Sequence, residues 1–158
     1  MRFPLLLAVV LLCASARAEE IKETVHLVIT GGPNAGTYDA KTSQGGCSHM
    51  GNMWGNQLSS PKGEPKKFNS LQLMIPDMNS AADEFLLTVS FGPLLQQTAS
   101  YEVDTRGKNK SGSGKVTVKD AGKTAKVTFN VKTASGVKLE GTIDCKSVFV
   151  MDAKGNVK

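Results

Sequence analysis

The clearest pattern in the sequence is a two-residue alternation of apolar and polar positions between Lys115 and Cys145. Val116 and Val118 share one face of Lys115–Lys119, and Val127, Phe129 and Val131 share one face of Lys126–Lys132. Val137, Leu139, Ile143 and Cys145 share one face of Val137–Cys145. A strand sends successive side chains to opposite sides, so a period of two marks a half-buried strand. Asp120-Ala121-Gly122-Lys123 and Thr133–Gly136 supply turn residues between the runs. The pattern predicts a three-strand antiparallel meander with one wet face. That face carries Lys115, Thr117, Lys119, Lys126, Thr128, Asn130, Lys132, Lys138, Glu140, Thr142 and Asp144.

Shorter runs precede it. Val25–Ile29 is β-branched and reads as a strand, with His26 directed outward or to an edge. Gly36–Ala40 returns after a Gly/Pro/Asn turn as the second arm of a hairpin. Leu71–Ile75 alternates and ends at Pro76, Phe85–Phe91 is the most apolar strand and is expected to be central, and Ser100–Val103 is short. Val148–Val150 adds a brief last strand. Between them, Glu19–Thr24 reads as a charged lead-in, Gln57–Lys67 and Thr105–Gly114 as surface loops, and Asp77–Asp83 as one capped helical turn at most. About eight short strands without a long amphipathic helix define an all-β fold, an antiparallel β-sandwich or a small β-barrel.

Arg2, the apolar run Leu5–Leu12 and the Ala16-Arg17-Ala18 ending form the n-region, h-region and cleavage site of a secretory signal peptide. The run is well short of the ~20 residues that span a bilayer. The expected division is a signal peptide at residues 1–18 and a single exported β domain at 19–158, periplasmic or extracellular, with no transmembrane segment after cleavage. Cys13 would leave with the signal; Leu12 stands where a lipid-modified cysteine has a small residue. Cys47 and Cys145 would remain, and in an exported chain they pair as a disulfide. The inward parity of Cys145 makes that disulfide buried.

Charge narrows the partners. The chain has 19 basic and 14 acidic residues; without Arg2 and Arg17 the balance is 17 against 14, or +3. That excess does not call for nucleic acid. The expected state is a monomer that meets a small ligand or an envelope component.

The candidate chemistry gathers in Gly45–Asn56, which holds Cys47, the only Trp and one of the two His. It is too glycine-rich to predict as regular structure. His49, Met50 and Met53 are soft ligands of the kind that suit Cu(I), so copper is the cofactor to consider. Trp54 and His49 could instead line a small-molecule or glycan site. Arg106–Lys126 holds seven basic residues and one acid, Asp120, and could touch an anionic surface. No catalytic constellation assembles: there is no G-x-S-x-G, H-E-x-x-H or C-x-x-C, and the acids are scattered. A disulfide would also remove Cys47 as a nucleophile beside His49. The sequence therefore predicts an exported, non-catalytic binding or interaction module. A Cu(I)-binding protein and an envelope-associated structural protein are the alternatives.

Overall fold

Burial alternates with a period of two along most of the described strands, most regularly in Glu23–Thr30 and Ala125–Lys132. The computed structural model describes residues 20–43, 45–59, 68–80, 83–93 and 96–157. Among these it contains eleven strands and no helix: β1 (Glu23–Thr30), β2 (Gly36–Thr42), β3 (Gly45–Met50), β4 (Met53–Ser59), β5 (Phe68–Ile75), β6 (Leu86–Phe91), β7 (Ala99–Asp104), β8 (Ser113–Asp120), β9 (Ala125–Lys132), β10 (Lys138–Cys145) and β11 (Val148–Met151). They form a five-stranded sheet, ordered β2-β1-β10-β9-β8, and a six-stranded sheet, ordered β11-β3-β4-β5-β6-β7. The two sheets pack face to face as a β-sandwich.

The core is the sum of the inner faces. Val25, Leu27 and Ile29 of β1, Val127, Phe129 and Val131 of β9, and Leu139 and Ile143 of β10 come from the first sheet. Trp54 and Leu58 of β4, Leu71 and Leu73 of β5, Leu87, Val89 and Phe91 of β6, and Val103 of β7 come from the second. The β8–β9–β10 meander has the expected register, with Val116 opposite Phe129 and Ile143 opposite Val127. Phe91 lies against Tyr38 and Tyr101 in edge-on contacts at 5.1 and 6.1 Å, which fills one end of the core.

Several elements depart from the sequence reading. The lead-in is not loose: β1 starts at Glu23, whose side chain is fully enclosed. Gly45–Asn56 is strand on both sides of a turn. Gly51, at φ +61°, opens the two-residue loop Gly51-Asn52, the position that a hairpin turn of the primed type reserves for glycine. Gln57–Ser59 belongs to β4, and the rest of that predicted loop lies outside the described residues. Asp77 accepts the Asn79 N–H at 2.9 Å in a side-chain-closed turn, in place of a helical turn. β6 is one strand in from the edge, because β7 covers it. Every strand pairing is antiparallel except that of β11 with β3. The segment 1–18 read as a signal peptide lies outside the described residues.

Candidate functional site

The hairpin β3–β4 gives each sheet face a different chemistry. Its inner face carries Cys47 and His49 on β3 and Trp54, Asn56 and Leu58 on β4. Cys47 bonds to Cys145 across the sandwich, with a Cα–Cα distance of 5.9 Å, and both are buried. The crosslink joins β3 of one sheet to β10 of the other, as the inward parity of Cys145 requires.

His49 also reaches the opposite sheet. Its Nδ1 lies 2.8 Å from Asp120 Oδ2 at the end of β8, and the other Asp120 oxygen accepts the Gly122 N–H at 2.7 Å. The carboxylate is 13% exposed and the imidazole 31%, so the pair sits at the rim of the sandwich. Asp120 continues the inward parity of Val116 and Val118, the signal that would have separated it from the turn residues after it. Trp54, directly across from His49, is fully enclosed. Its ring has no open face on which a sugar or planar ligand could stack.

Deeper in, the Asn56 amide donates to Glu23 Oε1. Glu23 Oε2 and Asn56 Oδ1 have no hydrogen-bond partner in the protein. Burial pushes the Glu23 carboxyl up to about 7, with the Asn56 hydrogen bond acting in the opposite direction. Glu23 is level with Cys145 on the neighbouring strand, so the acid and the disulfide share one corner of the core.

The outer face of the same hairpin is thioether. Met50 lies directly across from Met53, and Met151 of β11 lies beside Met50 on the other flank. The three form one cross-strand row. Met74 of β5 is level with Gly55, one step diagonal from Met53. Gly46 and Gly55 leave the floor low, and a shallow trough of about 290 Å³ runs between Ser48, Met50, Met53, Gln57 and Met74. Phe149, level with Ser48 on the same face, is 49% exposed.

Strand alternation thus parts the residues that adjacency in sequence suggested as one site. His49 faces inward to Asp120, while Met50 and Met53 face outward. The structure brings to Met50 and Met53 two residues from elsewhere in the chain, Met74 and Met151. Among the described residues, no three His, Cys, Asp or Glu side chains cluster closely enough to hold a metal ion.

The five-stranded sheet has its own outer surface. His26 Nδ1 pairs with Asp39 Oδ1 at 2.7 Å on the wet face. A groove of about 470 Å³ beside them is lined by Thr24, Lys41, Thr142 and Asp144. Among the described residues no Phe, Tyr or Trp lines it, and the His–Asp pair is open to solvent on both sides.

These features define a small β-sandwich domain with one inter-sheet disulfide and a methionine-lined outer face. No protein-family model matches the chain, and neither a curated protein nor a solved structure matches it. No helix among the described residues is long and apolar enough to cross a membrane.

Proposed function

We propose that this chain is an exported, non-catalytic binding module that takes an elongated apolar ligand, such as an acyl chain, in the trough of its six-stranded sheet. One observation carries the reading: β11, β3, β4 and β5 each place a methionine on the same outer face. The chain has six Met; apart from Met1 only Met78 lies elsewhere, packed against the core. Methionine is flexible and polarisable, and a surface built from it moulds to apolar ligands without a fixed shape. An exposed sheet face would ordinarily be polar.

A second reading has its own support. Met50 and Met53 stand directly opposite across a tight hairpin, where paired Cβ atoms lie about 5 Å apart. Two thioethers at that spacing can close on one Cu(I), a site that would not include His49.

One pair of variants separates the two. Titration with a long-chain fatty acid is followed by the emission of Trp54, the only Trp, which lies beneath the trough. Cu(I) uptake is followed by native mass spectrometry. Met50→Leu/Met53→Leu keeps the apolar surface and removes the sulfur, so it should retain the fatty acid and lose the metal. Met50→Gln/Met53→Gln should weaken fatty-acid binding about tenfold or more, on the order of the burial lost. Fatty-acid binding that survives the Gln variant unchanged would rule out the trough.

A further inference from the structure

On the opposite side of the sandwich, the geometry points to a second interaction surface: we propose that the outer face of the β8–β9 hairpin binds an acidic polysaccharide laid lengthwise along it. The observation is a pair of like-charge contacts. Lys119 stands directly across from Lys126, and Lys132 directly across from Lys138. Like charges in that position destabilise a sheet. Of these four lysines, Lys138 alone forms an ion pair among the described residues, with Glu140 at 3.2 Å. Lys115, Lys119, Lys126 and Lys132 form no ion pair among the described residues.

Protection of a sheet edge explains part of this and not the rest. β8 is an edge strand, and lysines there deter pairing with another chain. β9 is flanked on both sides, so Lys126 and Lys132 gain nothing by that argument. Asp144 of β10 stands directly across from Lys126 on its other flank and offsets part of the repulsion there, without forming an ion pair with it, whereas Lys132 has only Ser113 and Lys138 across from it. A bound polyanion would relieve the repulsion that remains.

The spacing selects the kind of polyanion. Lys126 and Lys132 are six residues apart on one strand, about 20 Å at the usual rise. A small anion cannot bridge that distance, whereas a polymer can. Between the two cationic ends runs a row of hydroxyls, Thr117, Thr128 and Thr142, directly opposite one another. Hydroxyls interspersed with cations match a chain of sugars bearing acidic groups. An anionic membrane fits less well. The outward residues of the hairpin are Ser, Lys, Thr and Asn throughout, with no apolar side chain to enter the lipid interface.

The test compares dextran sulfate with neutral dextran of the same length, using the folded mature protein. Dextran sulfate should bind, more weakly as salt rises, and neutral dextran should not. Lys119→Ser/Lys126→Ser/Lys132→Ser should weaken binding about tenfold or more. Lys22→Ser/Lys41→Ser/Lys154→Ser removes equal charge elsewhere and should weaken it less than about twofold. Equal losses in the two triple variants would reduce the effect to net charge and overturn the proposal. So would the absence of dextran sulfate binding, or tighter binding to phosphatidylglycerol vesicles than to dextran sulfate. The melting temperature of each variant confirms that it is folded.

Discussion

Glu23 is a carboxyl held in the core by one amide and little else. Its folded-state value of about 7 lies above the ordinary 4.5, so the folded protein keeps a proton that the unfolded chain gives up. Below about pH 4.5 both states are protonated and the pH-dependent cost vanishes. As pH rises from there to about 7, stability falls by roughly 1.4 kcal/mol per unit, and above that the loss levels off at about 3–4 kcal/mol. Glu23→Gln keeps an acceptor for Asn56 and removes the charge. It should stabilise the protein at pH 8, leave it unchanged at pH 4, and flatten the curve between. Urea denaturation across that range measures it; a variant that tracks the wild type at pH 8 would place the cost elsewhere. The parity Glu23-Val25-Leu27-Ile29 points the acid inward, yet the sequence reading assigned it to a charged lead-in. Hydropathy argues for solvent, and the burial that neutralises the acid is created by packing against the other sheet, which also supplies Asn56 as its one hydrogen-bond partner. His49 and Asp120 illustrate the same point, since neither strand alone contains the pair.

At the level of elements, the meander was legible because its alternation is unbroken and its turns carry glycine. The β3–β4 hairpin was not, because glycine at positions 45, 46, 51 and 55 lowers strand propensity and mimics a loop. Those glycines have structural reasons that only the pairing reveals. Gly45 has φ +80°, and a Cβ there would sit 2.4 Å from the Gln57 carbonyl oxygen. Gly55 opens the trough. The same logic governs β10, where Gly141 lies between β1 and β9. A Cβ on Gly141 would meet the His26 carbonyl oxygen at 2.1 Å and the Phe129 ring at 2.7 Å. Gly141→Ala should therefore cost about 2–4 kcal/mol, by forcing apart two ladders or displacing a core ring. Gly122→Ala, at a turn with open space around it, should cost about 1 kcal/mol through its positive φ alone. Guanidinium unfolding of the two variants checks the ranking; comparable losses would show that β10 has room to yield.

Across the whole molecule, the disulfide fastens one sheet to the other. Cys47 and Cys145 are separated by 98 residues, and the crosslink limits how far the unfolded halves can part. Cys47→Ala/Cys145→Ala should lose about 2–5 kcal/mol. Thermal melts with and without reductant should show the same loss in the wild type and none in the variant. The cysteine pairing and the sandwich class were both readable from the sequence. The distribution of function over the two outer surfaces was not, because it depends on register. Met151 meets Met50, and Lys138 meets Lys132, only after the sheets are assembled.

The order of strands also sets a schedule. β1 is made first, yet its inner partner is β10, with Glu23 level with Cys145; β3 acquires β11 later still. Neither sheet can be completed by a partial chain. A nascent chain that ends before Lys138 can already pair β3 to β7 in sequence, but its β1–β2 and β8–β9 hairpins stay separate until β10 joins them. Contacts this distant in sequence make folding slow and late. The consequence is that local hairpins can form early, while the five-stranded sheet and the crosslink to Cys47 wait for the final strands.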